Sequence, residues 1–540
     1  MEQTNVLIVG GGPVGLALSI DLAWRGVSHI LIDQNPASTR ADHARMDQVG
    51  VRTMEHVRRW EAVEAIESAG FPRHFRKDIV FETSLLGYEL ARAPVECDAT
   101  RPCPTFSPQK HELCPQNYFD PALQRVAARS ALASIRYNTR LLDFIEEGDK
   151  VIAEVEVGGV KKSIEACYLA ACDGSNSLIA RRLGIGAPGM TTLSVSTNLF
   201  IESPQLKDVL GVDRGYRHLL IGTEGVWASV VNIDGQDTWR VQVLGDPSWP
   251  SWDEDMIKMT VDCAIGKDVP WTLQAVIPWS RRELVAERFR QGRCFLVGDA
   301  AHQMSPTGGY GMNTGIAEAV DLSWKLTAML EGWGGEALLN SYDEERRAVA
   351  LRNVRMASRN FMKMTTIEKD STLLDATPAG EAARKRVGSA AMTAMALEWD
   401  SFGVHLGYHY SGSSIICSDG GLTPPDDQAD YIPTTIPGAR APHAWLPDGR
   451  STLDLFGHGF TLLIFDSQMD AEALCHAAAQ RNLPLTVHII TEAQIAKLYE
   501  CKLVLIRPDG HVAWRGNALP PRPLAVIDQV RGGGVAHTAP

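Results

Sequence analysis

Residues 6–15 read Val6-Leu7-Ile8-Val9-Gly10-Gly11-Gly12-Pro13-Val14-Gly15, and residues 29–33 read His29-Ile30-Leu31-Ile32-Asp33. The first four residues form a short apolar strand. Val14 to Trp24 has helical apolar spacing, and the second stretch is a strand ending in an acid. Together they spell strand, glycine turn, helix and strand. The glycines match G-x-G-x-x-G: Gly10 permits the tight turn, Gly12 lets a pyrophosphate approach the backbone, and Gly15 lets helix and strand pack closely. The helix start offers free N–H groups and a positive dipole end. Asp33 is placed to accept ribose hydroxyls. This predicts a Rossmann-type α/β domain, but it does not separate one dinucleotide from another.

A second motif narrows the choice. Residues 294–313 read Cys-Phe-Leu-Val-Gly-Asp-Ala-Ala-His-Gln-Met-Ser-Pro-Thr-Gly-Gly-Tyr-Gly-Met-Asn. An apolar strand ends in Gly298-Asp299, and a glycine-rich loop leads into a helical pattern from about Asn313. A third strand, Tyr168 to Cys172, ends in Asp173-Gly174. With three motifs in this order, the chain resembles the group A flavoprotein monooxygenases, the aromatic-ring hydroxylases that share the p-hydroxybenzoate hydroxylase fold.

The resemblance implies FAD as cofactor and NAD(P)H as co-substrate. It implies hydroxylation of a phenolic or related aromatic by O2, through a flavin C4a-hydroperoxide. Carried over residue by residue, it places Gly10, Gly12, Val14, Gly15, Asp33, Arg45, Gln116, Asp173, Gly298, Asp299, Pro306, Gly308, Gly311, Met312 and Asn313 at the cofactor. The helix after the loop would aim its N-terminus at the flavin ring edge, where reduction adds negative charge. The chain departs from the family pattern at Asn176 and Ala180, where arginines are usual, so the docking of the nicotinamide donor is left open. Tyr216, His218, Trp227 and Tyr310 are candidates to line a substrate pocket. No general base is assigned, and His302 is read as structural.

Along the chain the resemblance and the patterns give an FAD-binding domain from residues 1–190 and 281–360. A strand-rich substrate domain covers 191–280, with strands at Leu193–Ile201, His218–Ile221, Trp227–Ile233 and Trp239–Leu244. Gly158-Gly159 reads as a hairpin turn. A helical segment and linker fill 361–435, and the Gly/Pro/Asp-rich stretch from Ser411 to Pro447 reads as a linker or extended arm. From Phe460 a new β/α alternation begins. Pro437–His443 and Leu503–Arg515 resemble the phenol hydroxylase branch, which implies a thioredoxin-like domain over 436–540. It carries no C-x-x-C, so a structural or oligomer-stabilising role is expected rather than redox work.

Composition agrees with a globular enzyme. The 540 residues are 45 % hydrophobic and 22 % charged, with a formal net charge of −13 that argues against nucleic acid. The 10 cysteines are scattered and predict neither a metal site nor a redox pair. No basic signal region opens the chain, and glycines break its first apolar run, so no membrane span and a cytoplasmic location are expected. Two alternatives stay open at this point: a flavin dehydrogenase or oxidase that inserts no oxygen, and a non-catalytic FAD-holding protein.

Overall fold

A computed structural model describes residues 2–37, 46–211, 214–245 and 252–533. Five parallel strands form the heart of the first domain, in the order Cys294–Leu296, Val160–Ala171, Glu2–Val9, His29–Ile32 and Ala133–Arg136. The segments of the central strands that lie in the core, Val6–Val9, His29–Ile32, Tyr168–Ala171 and Cys294–Leu296, are mostly apolar because both sheet faces are covered there. Val6, Leu7, Ile8, Leu31, Ile32, Leu169, Ala170, Phe295 and Leu296 have no more than trace exposure. All three motifs sit where these strands end. The parallel register therefore gathers Gly10, Asp33, Asp173 and Gly298 at one edge.

Two helices lie over that edge, Pro13–Trp24 and the long Tyr310–Leu330. Their closeness depends on small residues. A Cβ on Gly15 would stand 2.0 Å from the Gly10 carbonyl oxygen, and one on Gly315 would stand 2.6 Å from Val14 Cγ2. The expected hairpin is present: Lys150–Val157 pairs antiparallel with Val160–Ala171, and Gly158 and Gly159 turn between them at φ 58° and 80°.

The second sheet has eight strands and is wider than its sequence suggested. The four anticipated strands appear as Gly189–Glu202, Arg217–Gly222, Gly225–Asn232 and Thr238–Gly245. Thr272–Val285 joins them through a bulged antiparallel pairing. Ile79–Glu82 adds to Arg217–Gly222 in parallel, and Glu89–Ala93 closes that side. Ile79–Glu82 comes from far upstream and is buried on both faces, so it carries no alternating pattern to announce it. One face of the sheet packs on the helix Glu254–Ile265, through Leu199, Val230, Trp239, Val241 and Val261. The other face looks toward the first domain.

The third domain is thioredoxin-like. Its sheet runs Leu485–Ile489, Phe460–Ile464, Leu503–Ile506, Val512–Gly516, with the first pair parallel and the others antiparallel. Helices Glu472–Gln480, Ala493–Tyr499 and Pro523–Val530 complete a β-α-β-α-β-β-α order. All ten cysteines are unpaired thiols.

The stretch Ser411–Pro447 is an irregular, partly buried arm. It has no regular helix or strand, yet Ile415, Thr435, Arg440 and Ala441 are at most 1 % exposed. Gly, Pro and Asp exclude regular backbone, but they do not dictate exposure. Here buried side-chain bonds hold the arm in place. Arg440 pairs through Nε with Glu55 Oε2 at 3.0 Å and through Nη1 with Tyr431 Oη at 3.1 Å.

Candidate active site

The glycine turn is shaped for a ligand as well as for packing. Gly10 has φ 114°, and a Cβ there would strike the Cys172 carbonyl oxygen at 2.1 Å. Gly12 is different. Its backbone is ordinary, at φ −75° and ψ −178°, and a Cβ would meet nothing of the protein within 4 Å. Its helix has no side-chain cap, so the first-turn N–H groups are available to an anion. Gly12→Val is therefore expected to leave the melting temperature of the apoprotein unchanged while weakening FAD about 100-fold, roughly 2.7 kcal/mol. Flavin fluorescence titration beside thermal melting reads both. Equal FAD affinity in the two proteins would rule out phosphate approach at Gly12.

Asp33 follows its strand as expected, and the structure adds a local role. Its Oδ2 accepts the Gly11 N–H at 2.6 Å and its Oδ1 accepts the Asn35 N–H at 2.7 Å, fixing the turn it faces. Tyr137 is a neighbour the sequence did not reveal. Its ring lies against Gly11, its buried hydroxyl has no partner, and burial beside Asp33 pushes its pKa up to about 12. Asp173 lies behind Gly10. Its Oδ2 accepts the N–H groups of Leu178 at 2.8 Å and Ile179 at 3.3 Å, which starts the short helix Leu178–Arg182. Its Oδ1 is buried without a partner, and burial raises its pKa. These orphaned buried oxygens beside an open glycine are what a polyhydroxylated, phosphate-bearing cofactor would satisfy.

Val14 joins the first motif to the second, since a Cβ on Gly298 would stand 3.1 Å from its Cγ2. Gly298 turns at φ 64° and leaves Asp299 exposed on a single 3-10 turn. What holds this turn is Glu318, a residue the sequence reading missed. It is wholly buried on the long helix, its Oε2 accepts the Gly298 N–H at 2.8 Å, and its Oε1 pairs with His302 Nε2 at 2.8 Å. The carboxylate outweighs burial and raises the His302 pKa. The structural reading of His302 thus acquires a partner.

The loop after Pro306 enters the long helix at Tyr310, three residues before the expected start at Asn313. Gly309 is the N-cap, at φ 65°, and again no side chain caps the helix. The Asn313 side chain is fully used. Its Oδ1 accepts from Gly50 N at 2.8 Å and Thr53 Oγ1 at 2.7 Å, while Nδ2 donates to the Gly309 carbonyl at 2.7 Å. Only its main chain is left to face a cofactor. Gly311 and Met312 are half-buried in the first turn. Tyr310 packs its ring over Gly308, accepts from Asn360 Nδ2 at 3.3 Å and donates to the Leu397 carbonyl at 3.3 Å, so it shapes the loop rather than a substrate pocket.

Two other pocket candidates are corrected. His218 is buried with both ring nitrogens engaged, by Glu82 Oε1 at 2.7 Å and the Gly215 carbonyl at 3.1 Å. Trp227 packs into the cluster on the helix-covered face of the sheet, away from the first domain. Arg45 lies outside the described residues.

Tyr216 has partners that the sequence did not reveal. Its hydroxyl donates to Asp47 Oδ2 at 2.9 Å, and Arg240 Nη2 lies 3.8 Å from the same oxygen. Burial, then the Asp47 charge, holds the Tyr216 pKa well above its usual value, so it stays a donor. Asp47 is the only one of the three with appreciable side-chain exposure, 22 % against 8 % for Arg240 and 7 % for residue Tyr216. Its segment abuts the loop: the Gln48 carbonyl accepts from Asn313 Nδ2 at 3.3 Å, and Gln48 Oε1 lies 3.7 Å from where a Gly309 Cβ would be. Gln116 begins a neighbouring helix, and its N–H donates to the Met46 carbonyl at 3.0 Å. This carboxylate's segment therefore lies beside the loop that opens the long helix.

Comparison with known proteins agrees. Residues 3–357 match the family described as FAD binding domain, and residues 434–529 match the one described as aromatic-ring hydroxylase, C-terminal. The chain belongs to the FAD-dependent aromatic-ring hydroxylases. A putative polyketide hydroxylase of Streptomyces halstedii is 31 % identical, over 96 % of this chain and 94 % of its own. Among solved structures, RebC soaked with chromopyrrolic acid and holding 7-carboxy-K252c is 37 % identical, with a TM-score of 0.93 over 99 % of this hydroxylase and 100 % of RebC. A ternary complex of aklavinone-11 hydroxylase with FAD and aklavinone is 26 % identical, with a TM-score of 0.81 over 98 % and 99 %. No helix among the described residues of this hydroxylase is long and apolar enough to cross a membrane.

Proposed function

We propose that this hydroxylase adds one oxygen atom to a phenolic, multi-ring aromatic substrate, with NAD(P)H as electron donor and dioxygen as oxygen source. The carrying observation is the Asp47–Tyr216–Arg240 cluster beside the Gly308–Asn313 loop. When bound, FAD would supply storage of the donor's electrons and activation of dioxygen. Gly12, Asp33, Asp173, Asp299 and the main chain of Gly311 to Asn313 are the groups proposed to hold it.

The protein's own chemistry is acid–base. The Tyr216 hydroxyl and Arg240 engage one Asp47 oxygen from one side and leave its second oxygen for a substrate hydroxyl. Accepting that proton turns the phenol into a phenolate and enriches the ring that must attack an electrophilic oxygen. The multi-ring preference rests on the relatives, whose names include a polyketide hydroxylase and an aklavinone hydroxylase. The test is NAD(P)H oxidation by the FAD-loaded protein against a panel of hydroxylated aromatics. Acceleration matched by hydroxylated product is expected. Acceleration with hydrogen peroxide alone for every compound would make it an oxidase.

A further inference from the structure

Behind the loop that opens the long helix lies a small polar cavity of about 20 Å³. Its walls are the helices Val51–Arg59, Tyr310–Leu330, Ala348–Thr365 and Phe402–Leu406, with Arg346 and Tyr408. The long helix presents Tyr310, Asn313, Thr314 and Ala317 to it, an i, i+3, i+4, i+7 stripe. Gly315 and Glu318, which meet Val14 and the Gly298 turn, lie on another face of that helix. The cavity is therefore separate from that turn.

Two arginines from different elements line it, Arg52 at 6 % exposure and Arg346 at none. Arg52 gives Nη1 to Glu55 Oε2 at 2.9 Å and Nη2 to the Asp509 carbonyl at 2.7 Å. Arg346 gives Nη1 to Tyr410 Oη at 3.1 Å and Nη2 to the Thr314 carbonyl at 3.2 Å. The Nε of each is buried without a hydrogen-bond partner. Their charges are also poorly balanced. Glu55 serves Arg440 as well as Arg52. Among the described residues no carboxylate lies within ion-pair distance of Arg346. Glu318 and Asp321 act on it at longer range, and they already pair with His302 and Lys325. No carboxylate lines the cavity. Burial, then Arg352, holds His405 on its wall at a pKa of about 4, so His405 is neutral.

A buried cation with an unmatched N–H is costly unless an acceptor, preferably a charged one, comes to it. We propose that the cavity binds one halide ion, chloride under ordinary conditions, between the Nε–H groups of Arg52 and Arg346. Its size admits a single particle close to a water in bulk, which excludes phosphate, sulfate and carboxylates. A water matches the walls less well, because it must also place two protons of its own. Asn313 Oδ1 is taken by Gly50 and Thr53, Asn353 Oδ1 by Arg352 at 2.7 Å, and Thr314 Oγ1 by Asn353 at 2.8 Å. A halide only accepts, and it brings the missing charge. Bound there, it ties the helix Val51–Arg59 to the long helix and to Arg346.

The test uses the FAD-loaded protein. Crystals grown in potassium bromide should show one anomalous peak in the cavity, between the two Nε atoms. In solution, chloride or bromide is exchanged for gluconate, an anion too large for the cavity, at a fixed ionic strength of about 0.1 M. The halide should raise the melting temperature saturably, by about 2–4 °C. Arg346→Met removes a donor and the charge, and should abolish this response. Ala317→Val fills the cavity while keeping both arginines, so the response should vanish there even if Arg346→Met fails to fold. A bromide map with water or nothing in the cavity, equal melting in chloride and gluconate, or a halide response undiminished in Ala317→Val would overturn the assignment.

Discussion

Asp47→Asn lowers the rate of hydroxylation by about 10²–10⁴-fold, the span associated with a positioned general base. An amide accepts a hydrogen bond from Tyr216 but takes up no proton, so the substrate stays a neutral phenol. The cofactor site is left intact, because Asp47 meets the strand pairing through its carbonyl, which accepts the Cys114 N–H at 2.9 Å. FAD affinity and the rate of flavin reduction should therefore match wild type while product formation falls. Tyr216→Phe removes one hydrogen bond from the carboxylate and costs about tenfold. Stopped-flow absorbance separates the half-reactions. An Asp47→Asn enzyme that hydroxylates at the wild-type rate would take Asp47 out of the chemistry.

Arg507→Met costs about 3–5 kcal/mol of stability, the loss expected when one member of a buried ion network is removed. Arg507 belongs to the thioredoxin-like domain and reaches into the first domain without exposure. It meets Glu345 Oε1 at 2.6 Å, Asp321 Oδ1 at 3.0 Å and Asp509 Oδ2 at 2.7 Å. Lys325 closes the cluster on Asp321 at 2.8 Å and Glu345 at 2.7 Å. Three carboxylates thus face Arg507 and Lys325, and His511 Nδ1 lies 3.3 Å from Asp509 Oδ2. Burial and the neighbouring Glu345 raise Asp321 to about 7. Glu345 is held down at about 2 despite its burial, by Arg507 and then Lys325.

The linkage follows from these directions. Glu345 stabilises the fold fully above its unfolded pKa near 4.5, and this is lost as pH falls toward 2. Asp321 works the other way, costing stability as pH rises from its unfolded pKa near 3.8 toward 7. Without Arg507 the hold on Glu345 weakens, so Arg507→Met flattens the acid limb as well as lowering the melting temperature. Melting curves from pH 3 to 8 would show both. An unchanged acid limb would mean that Glu345 does not depend on this arginine.

The parts of this molecule legible in sequence are those where local backbone geometry dictates residue type. Gly10, Gly15 and Gly298 must be glycine for reasons that act within a turn or a helix crossing, so their motifs are readable in isolation. The apolar strands before them carry the parallel sheet for the same reason. The cluster proposed to act on substrate is different. Asp47, Tyr216 and Arg240 meet only because two domains close on each other, and no spacing along the chain encodes that. Glu318 looks like an ordinary acid in a helical pattern until the helix is laid over Gly298. His218 and Trp227 show the converse: an aromatic on a strand suits a pocket or a packed face equally well, and only the sheet's register decides. The burial of the arm from Ser411 to Pro447 was not legible, because composition speaks to backbone freedom, whereas burial comes from distant partners such as Glu55.

Single-turnover reaction of the dithionite-reduced, FAD-loaded protein with ¹⁸O₂ tests the central claim most directly, with a panel of hydroxylated polycyclic aromatics present. One ¹⁸O atom in each molecule of hydroxylated product is predicted, at a yield that collapses in Asp47→Asn. Reoxidation that returns all the label as hydrogen peroxide, or a hydroxylated product whose new oxygen is unlabelled and so comes from water, would contradict it.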